Sequence, residues 1–404
     1  MSATSGSPPS PASASVRLAL AAAAAAPALL WRLHPVPLPP LASILVFGGA
    51  VVGASFLLAW AAEAAHGDIS GSLATVLLSL VAVLPEYAVD LWFSYAAAQH
   101  PAMARFAAAN MTGSNRLLLG LGWPLVVLLL WVGRRSRHQP TPLGGIALAP
   151  QRRLDLSILG VSALYGLTLP LRSSIHLFDG FVLLGLFGFY LWRAARAEGL
   201  EHPAVGTAAA LESLHPGQRR PLLVILFLFA ALVVLAAARP FADALVDGGR
   251  ALGLDEFLLV QWLAPLASEA PEFLVAAVLA LRGDGESALG TLLSSKVNQW
   301  TLLVGSIPLA WAAGGGHGGL PLDARQVEEV ALTAAQTLLG FSLVCGLRLR
   351  TGAAWVLAAL FALQLAFPQR EVRLGFAAVY LLAGMVVLVR ERAHLPPLWK
   401  ALRG

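Results

Sequence analysis

Apolar stretches long enough to cross a bilayer recur from residue 17 almost to the C terminus. A hydrocarbon core of ~30 Å takes about 20 consecutive apolar residues of helix. Candidate spans fall at 17–33, 41–64, 70–98, 103–132, 155–172 and 177–194, then at 221–247, 255–281, 286–313, 325–346, 352–367 and 373–390. With 58% apolar and 12% charged residues and a mean hydropathy of +0.74, the 404-residue chain lacks the polar side chains of an ordinary soluble surface. Lipid is therefore its main solvent, and the spans are expected to be helices because backbone groups in lipid must be satisfied internally. The expected class is an all-α polytopic membrane protein. The first span, Arg17 followed by an alanine-rich run, also reads as a signal-like segment, whose removal would leave the remaining topology unchanged.

The basic residues orient the spans. Alternate connections hold seventeen arginines and lysines on one side, including Arg134, Arg135, Arg137, Arg152, Arg153, Arg219 and Arg220, against seven on the other. Positively charged short loops stay cytoplasmic, so both termini are expected in the cytoplasm of a bacterial inner membrane. The net charge of +5 does not point to nucleic acid, because the arginines lie between spans and form no stripe interleaved with aromatics. The lone Cys345 excludes a disulfide framework and a clustered-thiol metal site. The run Gly314-Gly-Gly-His317-Gly-Gly lacks the Lys-Ser/Thr of a phosphate cradle and reads as a loop.

Charges inside the spans carry the functional signal. Arg116, Arg239 and Lys296 each face a cost of about 2.5 to 3.5 kcal/mol at a bilayer centre, so each needs a polar cavity or an acidic partner. Glu86 in VAVLPEYAVD and Glu272 in LASEAPEFLV each follow a proline. A proline within a helix would free a carbonyl one turn back, placing backbone oxygen beside the carboxylate. Structural pairing with the intramembrane arginines is the plainer reading of these glutamates. The segments repeat: aligning Glu86 with Glu272 also aligns Gly67 with Gly253, and 106–115, ending in Asn115, parallels 287–296, ending in Lys296. Five spans in 41–194 and five in 221–367 make two repeats of odd span number, which must insert with opposite orientation. Residues 1–40 form an N-terminal tail and extra helix, 195–220 a cytoplasmic linker, and 368–404 an extra C-terminal helix and tail.

These residues resemble the cation/calcium exchanger superfamily, which includes the sodium/calcium exchangers. Leu84-Pro85-Glu86 and Ala109-Asn110-Met-Thr-Gly113-Ser114-Asn115 look like its first signature repeat; Ala270-Pro271-Glu272 and Gly290-Thr291-Leu-Leu-Ser294-Ser295-Lys296 look like its second. The resemblance, covering about 41–367, implies ten core helices and two central ion-liganding glutamates, Glu86 and Glu272, reached alternately from either side. It makes Asn110, Ser114, Asn115, Ser268, Glu269, Ser295, Lys296 and Gln299 further candidates for the ion path, with inorganic cations as partners and no cofactor. The chain departs from the pattern at Ala82 and Val83, where hydroxyl ligands are expected, at Glu269 in place of a hydroxyl, and at Lys296 in place of asparagine.

Lys296 stands out because all but two of the 27 basic residues are arginine, and the other lysine, Lys400, lies near the C terminus. Its ammonium is expected either to compete with the transported cation for Glu86, Glu269 or Glu272, or to lock the site as a fixed counter-ion. Asp90, one turn after Glu86, either extends the ion path or pairs with Arg116; Asn110 and Asn115 are ion-path residues or inter-helix hydrogen-bonders. The function expected is antiport of Na+ or Ca2+ against protons or another cation. The alternative is a transport-inactive relative serving as sensor or scaffold. An intramembrane hydrolase lacks its Ser/His/Asp or metal constellation.

Overall fold

A computed structural model describes residues 11–65, 84–139, 144–196, 204–367 and 369–403. The expected Gly67, Ala82 and Val83, and the first part of span 70–98, lie outside the described residues. The N-terminal helix α1 (Pro11–Leu33) packs on α2 (Pro40–Ala65). The first repeat continues with α3 (Leu84–Ala97), α4 (Ala104–Leu117), α5 (Trp123–Ser136), α6 (Arg153–Gly166) and α7 (Leu177–Ala194). A short α8 (Thr207–Glu212) interrupts the linker. The second repeat holds α9 (Pro216–Leu252), α10 (Glu256–Ser268), α11 (Ala270–Leu281), α12 (Gly285–Asn298), α13 (Val304–Ala313), α14 (Ala324–Val344) and α15 (Thr351–Ala366). The chain ends with α16 (Arg370–Arg390) and α17 (Leu395–Arg403).

Among the described residues, eight helices are long and apolar enough to cross a membrane, and the bent pair α10–α11 makes a ninth. Each of the twelve expected spans has a helical counterpart, only partly described for 70–98. Two differences stand out. α9 extends beyond 221–247 at both ends, and α17 was not expected, since its nine residues are too short to register as a span.

Local chemistry sets the helix starts. Asp255 accepts from the Phe257 N–H, Asp284 from Ser287, and Asp323 forms a capping box with Gln326, each satisfying a first-turn donor with no partner inside the helix. Gly253 (φ 65°) closes α9 in the left-handed region, where a side chain would be strained.

The two halves interlock about an internal two-fold. α2 packs against its counterpart α9, with Gly48 under Phe241 and Gly248 under Ile44. Short antiparallel pairings cross between repeats: β1 (Ile146–Ala147) pairs with β4 (Arg348–Leu349), and β2 (Ser174–His176) with β3 (Gly319–Pro321). Ile146 faces Leu349 while Ile175 faces Leu320, so the same two sequence positions exchange partners at opposite ends of α6 and α14. Each third span also carries a π-turn, Leu118–Gly122 between α4 and α5 and Gln299–Leu303 between α12 and α13, each beginning three residues after Asn115 or Lys296. The fold is thus two inverted five-span repeats flanked by α1 at one end and by α16 and the short α17 at the other.

Candidate ion-exchange site

Glu86 lies in α3, the residues before Leu84 being outside the described ones, and Glu272 lies in the first turn of α11. Unpaired main-chain N–H groups and the positive end of the helix dipole favour a carboxylate there. The expected mid-helix proline is corrected for the second repeat. Pro271 opens α11, where it sacrifices no hydrogen bond, after a 56° bend at Glu269 (φ −93°, ψ 1°). The proline inside the preceding helix is Pro265, whose carbonyl accepts from the Glu269 N–H at 2.8 Å.

Each carboxylate has company from the other half of the chain. Glu86, 4% exposed, is flanked by Ser114 of α4 and by Gln299 of the second π-turn, and it feels the charge of Lys296. The neighbouring Tyr87 hydroxyl donates to the Asn298 carbonyl at 3.3 Å, tying α3 to the end of α12. Asp90 accepts from the Asn110 amide at 2.8 Å, while the Gln299 amide donates to Glu269. Glu272 is partly buried within the field of Glu86. Six oxygens in this neighbourhood are buried without a donor: Glu86 Oε1, Asp90 Oδ2, Asn110 Oδ1, Glu269 Oε2, Glu272 Oε2 and Gln299 Oε1.

Lys296 is fully buried, and its ammonium donates to the Asn115 main-chain oxygen at 2.5 Å and to Asn115 Oδ1 at 2.8 Å. Its hydrogen bonds go to an asparagine and not to a glutamate, although Glu269 and Glu86 act on it electrostatically. The Asn115 amide donates to the Met111 carbonyl, which fixes its oxygen toward the lysine. The hydroxyls of Ser114 and Ser268 donate to carbonyls of their own helices, at Met111 and Ala264. Ser295 is buried beside Lys296. Among the described residues, no group of three His, Cys, Asp or Glu side chains is close enough to hold a metal ion.

Arg116 pairs with Glu329 of α14 and not with Asp90. Gln261 of α10 bridges Glu329 and Thr112, at 3.1 and 3.2 Å, and Arg373 of α16 approaches Glu329 at 3.9 Å. Glu328 takes Arg370 and Arg373. The Glu328-Glu329 pair inside the apolar span 325–346 went unflagged by sequence reasoning, although Arg116 required an acidic partner somewhere. Arg239 lies 62% exposed on α9, pairing with Asp243 and stacking over Trp92, so it faces outward and not into the site.

The sequence profile of the sodium/calcium exchanger protein family matches residues 39–195 and 222–368. The chain belongs to the sodium/calcium exchanger protein family. The crystal structure of an H+/Ca2+ exchanger, CAX, is 37% identical over 97% of this chain and 98% of that one, with a TM-score of 0.90. The structure of native YfkE is 13% identical, with a TM-score of 0.61 over 91% of this chain and 99% of that one. The sodium-calcium exchanger NCX_Mj, soaked with Na+ and Sr2+, is 18% identical, with a TM-score of 0.53 over 81% of this chain and 98% of that one. The last two share the fold. No curated protein sequence matches. As a sodium/calcium exchanger family member, the chain is a multi-pass membrane transporter of inorganic cations and not an enzyme. Glu272 opens α11 and lies within the electrostatic reach of Glu86 from the other repeat.

Proposed function

We propose that this exchanger carries Ca2+ in one direction and protons in the other, by alternating access to a site built on Glu86 and Glu272. The observation that carries the reading is the concentration of buried oxygen acceptors without donors around those two residues. Buried acceptors are ordinarily satisfied, and one left bare costs about 1 to 3 kcal/mol. A hard divalent cation requires six to eight oxygens, and Glu86, Glu272, Glu269, Asp90, Asn110 and Gln299 supply acceptors of that kind. Binding Ca2+ between Glu86 and Glu272 would draw α3 and α11 together, and this closure is the occluded step.

Proton coupling follows from charge. Glu86 acts on Asp90, Glu269 and Glu272, and the one lysine among them, Lys296, feels only Glu269 and Glu86, an excess of negative charge that a low-dielectric interior does not tolerate. Either a cation or protons must neutralise it, so loading one releases the other. The strong likeness to an H+/Ca2+ exchanger supports the choice of ions. The arginine bias of the loops supports an orientation with both termini cytoplasmic, in what we take to be a bacterial plasma membrane.

The test is ion-driven proton flux in proteoliposomes, with Ca2+ set against Na+, K+, Li+ and Mg2+. The expected result is proton movement opposite to a Ca2+ gradient that Glu272→Gln abolishes. Ca2+ movement indifferent to the proton gradient, or no flux with any ion from monodisperse protein, would overturn the proposal.

A further inference from the structure

The two third spans meet at corresponding positions, Asn115 of the first repeat and Lys296 of the second, 181 residues apart. The ammonium there has the surroundings of a bound cation. A main-chain carbonyl and a side-chain amide oxygen of one residue chelate it, and the Trp300 ring centroid stands 5.8 Å away. That ring is held in place, its Nε1 donating to Thr337 at 2.7 Å. A counter-ion for the glutamates would sit on a carboxylate, yet this ammonium hydrogen-bonds neutral oxygens. The residue type fits the task. Lysine presents a compact point charge at the end of an apolar stem, whereas the planar fork of arginine, used almost everywhere else in this chain, would not enter such a chelate.

We propose that Lys296 is a tethered occupant of a monovalent-cation site, filling the space between Asn115 and the face of Trp300 that a free ammonium- or potassium-sized ion takes when the side chain is removed. The consequence for specificity is direct. The exchanger carries its own fixed charge at this position, so the cargo site works without a free monovalent ion beside it. The binding site itself stands on geometry alone; only this consequence for transport rests on the Ca2+/proton reading.

The test is a melting series on full-length native, Lys296→Ala and Lys296→Asn proteins in detergent, comparing ammonium, K+ and Na+ chlorides with choline chloride at equal ionic strength. A ligand that binds only the folded state raises the melting temperature saturably. The variants are expected to gain on the order of 2 °C or more in at least one small cation, while the native protein does not distinguish that salt from choline. Adding Asn115→Ala to Lys296→Ala should remove the gain. Variants as indifferent as the native protein overturn the proposal, as does a native protein that responds equally. If neither variant is recovered folded, purification in ammonium chloride should rescue it, and failure to do so also counts against the proposal. In proteoliposomes, Ca2+ uptake by Lys296→Ala should acquire a dependence on the same monovalent ion. Native protein that moves no Ca2+ would sink the transport reading while leaving the melting result to decide the site.

Discussion

The two repeats solve one problem with different residues. In the first, Glu86 lies in α3, a second carboxylate follows one turn later at Asp90, and the Asn110 amide holds it. In the second, Glu272 opens α11, but the second carboxylate comes before it, at Glu269 in the break, and the Gln299 amide holds it. Each half therefore offers two carboxylates and one amide, although only the glutamates align in sequence. The symmetry breaks at Asn115 and Lys296, where one half supplies the oxygens and the other the charge. What the internal two-fold preserves is a balance of donors, acceptors and charge around a shared centre, with individual residues free to move along their helices.

The comparison breaks most visibly at the glutamates. If the halves are equal partners, Glu86→Gln and Glu272→Gln should each reduce Ca2+-driven proton flux to the level of empty liposomes. Substantial flux in either variant would mean that only one repeat binds the ion. Next in size is the buried pair outside the site. Glu329→Gln strands the Arg116 guanidinium, which is 3% exposed, and breaking one side of a buried pair costs about 3 to 5 kcal/mol. A steep drop in melting temperature is expected, largely recovered by combining Glu329→Gln with Arg116→Met. An unchanged melting temperature in Glu329→Gln would show that the buried Arg116–Glu329 pair contributes little to stability.

Sharper is the comparison of the accessory carboxylates. Asp90→Asn and Glu269→Gln remove equivalent charges from the two halves, and each is expected to weaken apparent Ca2+ affinity by about tenfold, the usual scale for a supporting residue at a metal site. Equal losses, read from the Ca2+ dependence of initial flux, would support two matched carboxylate-amide sets. A loss confined to Glu269→Gln would place the cargo on the second repeat.

Much of this was legible in the sequence. Span-length apolar runs named the helices, and the Pro-Glu recurrence marked both segments that carry the buried glutamates, because a carboxylate in an apolar segment needs a reason. Other features depend on packing that no single segment encodes. The break at Glu269 arises where Pro271 opens a new helix, and reading that proline as a mid-helix kink misplaced the hydrogen-bonding loss. The partner of Lys296 was sought among carboxylates because opposite charges attract. The residue that meets it is its own counterpart in the other repeat, which follows from the two-fold and not from charge. Glu329 passed unnoticed because it sits beside Glu328 near a helix start, where acidic residues are common, and its distance in sequence from Arg116 hid the pair.

The last comparison concerns Gly113 and Ser294, at corresponding positions two residues before Asn115 and Lys296. A Cβ at Gly113 would lie 1.7 Å from the Gln261 carbonyl oxygen of α10, a backbone atom that cannot turn aside, so Gly113→Ser should force α4 away from α10 and lower the melting temperature markedly. Ser294 has room for its side chain and takes a long 3.4 Å hydrogen bond from Arg152, which also holds Asp155 and Glu286. Ser294→Gly then loses one weak hydrogen bond and some helix propensity, on the order of 1 kcal/mol together. Paired melting curves of the two single variants decide the matter. A large drop for Gly113→Ser beside a small one for Ser294→Gly would show that the repeats approach their neighbouring helices at different distances at this level. Similar drops would mean that both third spans are equally tight and that the difference between glycine and serine has no packing origin.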